Sequence, residues 1–426
     1  MRSPFDNAGR ERECVMSLRR DADEIIRVSI QAVLPDEAVK KALEGKDFGS
    51  GKVRMVAAGK AAWQMAHAAA ADLGDRLDAG VVVTKYDHVK GEIPRVVCFE
   101  AGHPVPDENS FRGTRAAIKL VENLSARDTV LFLVSGGGSA LFEEPLISGE
   151  ELSDITGQLL ACGADIVEMN TIRKRLSAVK GGKFAKLCEP AKVYSIVLSD
   201  ILGDPLDMIA SGPAYPDSST CGQAVAIAEK YHLKLSEKVW KLLQEETPKE
   251  LHNVETNITG SVRNLCAAAA VSCRKLGYRP VILTDQLNCE AREAGAFLAA
   301  IAKTYQNSEE SIAFLAGGET VVHLTGKGKG GRNQEIALAA AEEIAGLCDT
   351  AVFSIGSDGT DGPTDAAGGY VDGTTREVLS QKHISIYDVL RENDAYHALK
   401  QSGGLIITGA TGTNVNDVAV LLIKRK

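Results

Sequence analysis

Residues 129–142 read TVLFLVSGGGSALF. The first six, rich in β-branched and aromatic side chains, predict a short buried strand. Three consecutive glycines between two serines follow it, then residues that suit a helix. Glycine loses the most backbone entropy on ordering, so three in a row weaken any regular element. One glycine suffices for a tight turn. Three favour a ligand held close to the backbone, with Ser135, Gly136, Gly137, Gly138 and Ser139 offering N–H groups to an anion at a helix start. The loop is not a G-x-x-x-x-G-K-[ST] phosphate loop, and that pattern occurs nowhere in the chain. Nor is it a G-x-S-x-G elbow, because Leu141 stands where the last glycine would be.

The same strand–loop–helix rhythm extends outward on both sides. A helix over 15–45 precedes strand 53–58, which ends in Gly59-Lys60 and an alanine-rich helix. Strands at 80–84 and 95–100 follow, then a helix after AGHPVPDENS. Beyond the glycine loop lie a helix over 151–169, a basic segment NTIRKRLSAVKGGKFAKL and strand 193–198. Residues 221–255 read as connecting helices, with HNVETNITG as linker. The second half repeats the rhythm, with strands at 280–284, 312–315, 320–324, 351–355 and 404–408. Such alternation predicts an α/β fold with parallel sheets covered by helices. Each unusual loop then sits at a strand's carboxyl end, where open α/β sheets bind ligands.

The 426 residues suggest two domains, and 44% hydrophobic with 25% charged residues supports a full core. Net charge is −9 with an isoelectric point near 5.5, and no basic stripe with interleaved aromatics appears. Nucleic acid is therefore not an expected partner. Nine cysteines, none in a C-x-x-C pair, read as small buried hydrophobes of a reducing compartment, not as a zinc site. No apolar run approaches the ~18–20 residues of a membrane span, so no membrane association is expected. The first residues lack the apolar core of a secretory signal, and 1–14 read as a loose tail. These features point to the cytoplasm. A homodimer is compatible with the sequence and not read from it.

Lys60 stands at a helix N-terminus, against the dipole, which a shared anion would explain. Gly326, Gly328 and Gly331 have G-x-G-x-x-G spacing, but Lys327, Lys329 and Arg332 make the segment cationic, suiting phosphate or carboxylate. Asp358 falls near where a ribose-binding acid would stand, which keeps a nicotinamide enzyme as a rival. The loops SDILGDPLD and SDGTDGPTDAAG offer Asp200, Asp204, Asp207, Asp358, Asp361 and Asp365. Carboxylates among glycines and prolines suit Mg²⁺, though any single one also suits turn chemistry. His103 reads as an acid or base, or as an ordered loop residue. Arg173, Lys174, Arg175 and Lys180 read as partly a solvated face, with Asn170 and Arg173 the stronger contacts.

The set VSGGGSALF, NTIRKRLSAVKGGKFA, LSDILGDPLDMIASGPAYPD, GGETVV, GKGGRNQE, GSDGTDGPTDAAG and TGTNVND, in that order over about residues 20–420, resembles the glycerate 2-kinase family that carries a C-terminal MOFRL domain. The resemblance implies ATP-dependent phosphorylation of D-glycerate at its 2-hydroxyl with Mg²⁺ or another divalent cation. An NAD(P)H-dependent hydroxypyruvate reductase, a label older relatives carry, is the alternative. It implies two domains with Rossmann-like, largely parallel sheets and an active site in the cleft between them. We expect these domains at 15–255 and 256–426, the last strand and helix packing back on the first. It implies catalytic importance for Lys60 and Arg332. The roles then expected are Asp200 as base or orienter of the 2-hydroxyl; Ser135–Ser139, Asn170, Arg173, Gly330 and Gly331 as nucleotide contacts; and Asp204, Asp207, Asp358 and Asp361 as metal ligands.

Overall fold

In a computed structural model of the chain, residues 4–347 and 349–425 are described. They form two compact units. The N-terminal unit comprises Pro35–Asp200 and Asp204–Thr259; the C-terminal unit comprises the chain up to Leu34, Ile201–Gly203 and the chain from Gly260 onward.

The N-terminal unit is built on six strands: β1 (Val53–Ala58), β2 (Leu77–Lys85), β3 (Val96–Ala101), β4 (Thr129–Val134), β5 (Lys192–Leu198) and β6 (Val254–Gly260). Their order is β3-β2-β1-β4-β5-β6. The pairs from β3 to β5 are all parallel. β4 is buried along its whole length, as a parallel strand covered on both faces must be. One face, with Met55, Ala57, Leu131 and Leu133, packs under the helix Ala62–Leu73. On the other, Phe132, Phe142 and Phe184 form an aromatic cluster with ring centroids 4.8–5.6 Å apart. β6 occupies part of the expected linker HNVETNITG. It lies at the sheet edge and is mostly half-buried, which explains its polar sequence.

The C-terminal unit holds β7 (Arg279–Leu287), β8 (Ile312–Gly318), β9 (Thr350–Gly356), β10 (Gly368–Asp372), β11 (Leu405–Ile406) and β12 (Asp417–Ile423), in the order β11-β10-β9-β12-β8-β7. This sheet departs from the parallel expectation. Only β7 and β8 pair in parallel; the other four pairs are antiparallel. Two of these come from β12, whose fully buried DVAVLLI inserts in reverse between β8 and β9, and two from β10, which runs antiparallel to both β9 and β11. A terminal helix was expected at β12, but the six continuous apolar residues Val418–Ile423 at the sheet centre suit a buried strand. The expected strand 320–324 is reduced to a single bridge between Glu290 and Val321, with Leu324 exposed.

The expected helix 15–45 is two helices, Pro4–Ala32 and Pro35–Leu43, divided ahead of Pro35, which disfavours helical backbone in the residue before it. The tail expected over 1–14 is helical from Pro4, and residues 1–3 lie outside the described residues. The first helix packs in the C-terminal unit, where Leu18, Ala22, Ile25, Ile26, Ile30 and Val33 join Leu265, Cys266 and Phe353 in one core. Residues up to 34 thus differ from the expected first domain. No helix among the described residues is long and apolar enough to cross a membrane.

Candidate active site

Strand order 3-2-1-4-5-6 reverses between β1 and β4, the switch point at which open α/β sheets bind ligands. Ala58 and Val134 are register partners, so the loops after β1 and β4 leave the sheet side by side. They are laced together: Ser135 N–H donates to Ala58 O (3.0 Å), Lys60 N–H to Gly136 O (2.8 Å) and Ala61 N–H to Ser135 Oγ (3.0 Å). Ser135 is thereby buried, and its side chain accepts from the backbone and ties the two loops together.

Gly137 has φ of +83°, and a Cβ there would lie 3.0 Å from the His103 ring and 3.1 Å from Lys60 Cγ. A Cβ on Gly136 would overlap the Asp200 carboxylate. The loop's glycines therefore admit Lys60, His103 and Asp200 against the backbone. The N–H groups of Gly136, Gly137 and Ser139 have no hydrogen-bond partner among the described residues, whereas Gly138 N–H donates to Ser135 O. The helix that follows has only four residues, Gly138–Leu141, so the anion cradle rests on these N–H groups more than on a helix dipole. Lys60 forms no ion pair among the described residues. Burial, then the charges of Lys60, Lys85 and His88, hold the His103 imidazole below its ordinary pKa of 6.5, keeping it neutral at neutral pH.

The loop is fixed from below. Ser139 O accepts from Arg173 Nη2 (3.0 Å) and Lys180 Nζ (2.8 Å). Lys180 is fully buried beside Glu143 (3.2 Å), and burial pushes its pKa down to about 8. Ser139 Oγ lies 3.0 Å from Ser211 Oγ, which donates to Asn170 Oδ1 (2.8 Å). The expectation of a solvated cationic face is overturned for Lys174, Arg175 and Lys180, which are 2%, 1% and 0% exposed. Lys174 pairs with Asp217 at 2.9 Å, and Arg175 donates to Ser219 O at 3.0 Å. Ser211, in IASGPAYPD, was quoted as part of a motif but not singled out from sequence.

The acidic loops divide by environment. Asp207 accepts from Ser218 Oγ (2.5 Å) and faces Lys174 (3.5 Å). Asp204 has a left-handed φ of 53°, and its Oδ1 is buried without a hydrogen-bond partner. Asp358 Oδ1 accepts from Thr360 N–H, a local turn. Asp361 is 3% exposed and accepts from the N–H groups of Asn333 (3.1 Å) and Gln334 (2.9 Å) at the start of helix Arg332–Glu343. Burial pushes its pKa up to about 7. Its place as a metal ligand is thus taken by a helix start. No three His, Cys, Asp or Glu side chains gather as a metal cage among the described residues.

In the C-terminal unit, Arg332 is a third exposed and gives Nε and Nη2 to Asp417 (2.5 and 3.1 Å), with Nη1 3.4 Å from Glu319. Burial opposes its charge, but the Asp417 hydrogen bonds and neighbouring carboxylates hold it firmly protonated. The other residues of RNQE are structural: Asn333, Gln334 and Glu335 are buried. Gly331 closes on Asp361, and Gly330 on Asn393 and Ala395, and neither N–H has a hydrogen-bond partner among the described residues. Gly326 and Gly328 press on Glu392–Asp394, and their N–H groups are taken by Asn393 Oδ1 and Glu392 O. Lys329 lies over the Tyr396 ring. With no strand directly before it and the N–H groups of Gly326 and Gly328 satisfied, this glycine series lacks the context of a dinucleotide loop.

The family described as Domain of unknown function (DUF4147) matches residues 21–244, and the MOFRL family matches residues 312–417. D-glycerate 2-kinase of Thermotoga maritima is 52% identical over 413 residues, 96% of this chain and 99% of that protein. Glycerate 2-kinase of Pyrococcus horikoshii is 42% identical over 96% of this chain and 98% of that protein. A crystal structure of glycerate kinase from Thermotoga maritima superposes with a TM-score of 0.92, covering 96% of this chain and all of the other at 51% identity.

Proposed function

The chain belongs to the glycerate 2-kinase family with a C-terminal MOFRL domain, and on that premise we propose that it transfers the γ-phosphoryl group of ATP to the 2-hydroxyl of D-glycerate, giving 2-phosphoglycerate and ADP. The observation that carries this reading to the site is the trio of unpartnered N–H groups at Gly136, Gly137 and Ser139, beside an unpaired Lys60 at the sheet's switch point. Phosphoryl transfer needs positioning and charge neutralisation more than covalent chemistry. The N–H groups bind phosphate oxygens without any proton transfer. Lys60 neutralises charge that develops on the transferring group. Asp200, against Gly136, accepts the proton of the 2-hydroxyl and aims its oxygen. Arg332, held in one orientation by Asp417, is the second cation we assign to the reaction.

Of the four aspartates expected to bind metal, Asp204 suits a divalent cation. Asp204 Oδ1 is a buried carboxylate oxygen without a hydrogen-bond donor, and Mg²⁺ in phosphate-binding sites takes only one or two carboxylates besides phosphate and water. Asp204 would hold it, and the ion would supply charge neutralisation on the phosphates. Asp207, Asp358 and Asp361 are engaged by protein donors.

The test is ADP release from ATP dependent on D-glycerate, against oxidation of NADH by hydroxypyruvate. The proposal expects the first and not the second. NADH oxidation without ADP release would replace it with the reductase reading.

A further inference from the structure

We infer that the Ser139 hydroxyl is not a phosphate donor but a lone-pair acceptor for the non-reacting 3-hydroxyl of the acceptor substrate, held in that polarity by Ser211 and Asn170. The inference rests on the glycerate kinase reading above and deepens it to a specificity contact.

One chain of protons sets this polarity. Asn170 Oδ1 is an acceptor only, and Ser211 Oγ donates to it at 2.8 Å; the Asn170 Nδ2 side faces Met208 Sδ, 4.0 Å away. A hydroxyl has a single proton. With that proton committed to Asn170, the 3.0 Å contact between Ser211 Oγ and Ser139 Oγ requires Ser139 to donate. Ser139 then has no proton left, and its oxygen offers only lone pairs. ATP phosphate oxygens at neutral pH are themselves acceptors, so this hydroxyl cannot bind them. It can bind a hydroxyl. D-glycerate has two, and the proton of the 2-hydroxyl goes to Asp200 in the proposed reaction. The 3-hydroxyl is the remaining donor. Main chain and side chain of Ser139 thus divide the work: the unpartnered N–H serves an anion, the Oγ an alcohol.

The fold holds this polarity at a cost that a mere packing contact would not justify. Ser211 is fully buried and has φ of +61°, directly after Ala210 at +51°. Two adjacent non-glycine residues in the left-handed region are strained. They are held there by Gly181 N–H on Ser211 O (3.0 Å) and Gly182 N–H on Gly212 O (2.7 Å), from two glycines of AVKGGK that themselves sit at φ of +59° and +82°. From the other side, Arg173 and Lys180 clamp the Ser139 carbonyl. Ser211 and Asn170 are accordingly positioning residues.

Ser211→Gly is the informative variant, because glycine adopts this φ without strain while the hydroxymethyl group is removed. D-lactate, which lacks the 3-hydroxyl, is the probe, used as alternative substrate or competitive inhibitor beside D-glycerate. In wild type, D-glycerate should be preferred. In both Ser139→Ala and Ser211→Gly that preference should fall about five- to tenfold, as for one lost neutral hydrogen bond, with KM for ATP unchanged. A rise in KM for ATP with the preference intact would make Ser139 a phosphate contact and overturn the inference while leaving the kinase reading standing. No change in either quantity would also overturn it. Wild type that does not phosphorylate D-glycerate would overturn the kinase reading first, and the inference with it.

Discussion

Lys60 is the residue on which the phosphoryl-transfer reading bears hardest. It packs its stem beside Gly137 and forms no ion pair among the described residues, so its removal should cost chemistry and not stability. Lys60→Ala should lower kcat on the order of 10²-fold or more with Tm nearly unchanged; near-normal kcat would sink the assignment. Asp361 makes the opposite case, a buried acid with a structural task. Its carboxyl is raised from 3.8 to about 7, so between those values the folded protein holds a proton that the unfolded chain has released. Stability from this group is full below pH 4 and is lost as pH rises through 7, a change on the order of a few kcal/mol. Asp361→Asn has no such titration, so the stability margin of wild type over the variant should shrink from pH 4 to 8, followed by urea midpoints. A margin that grows with pH would refute the assignment. Lys60 was legible because a lysine at a helix start contradicts the dipole. Ser211 and Asp417 were not, because their partners Ser139 and Arg332 lie 72 and 85 residues away. Only folding brings them together.

At the scale of elements, the glycine loop works because two parallel strands end level and their loops hydrogen-bond to each other. Gly136→Ala should push a methyl group into the Asp200 carboxylate. We expect a stability loss of ~1–3 kcal/mol and a loss of kcat larger than that alone explains, measured on protein shown folded by circular dichroism. Retained full activity would separate Asp200 from the loop. The N-terminal sheet was readable because its interior strands are continuous apolar runs ended by turn residues. β6 was missed because an edge strand keeps polar side chains, and β12 because six apolar residues in a row suit helix and strand alike. The cationic run at 173–180 misled for a different reason. Charge in sequence reads as exposure, yet Lys174, Arg175 and Lys180 each find acidic or carbonyl partners in the interior.

For the whole molecule, chain order and structural unit do not coincide. The helix Pro4–Ala32 shows an apolar face in sequence, but nothing in its spacing says which core that face joins. Deleting residues 1–34 should strip the cover from Leu265, Cys266 and Phe353. Amide exchange should then become fast in β9 and β12 while β1 and β4 stay protected. Unchanged protection in β9 and β12 would show the helix dispensable. The family gives the substrate class, and the switch-point cradle is the feature of the N-terminal unit that suits a phosphate. The central claim is regiospecific phosphoryl transfer, and ³¹P NMR of a reaction with ATP and D-glycerate tests that most directly. The account predicts ADP and 2-phosphoglycerate in equal amounts; 3-phosphoglycerate as the product, or ADP released without any phosphoglycerate, would contradict it.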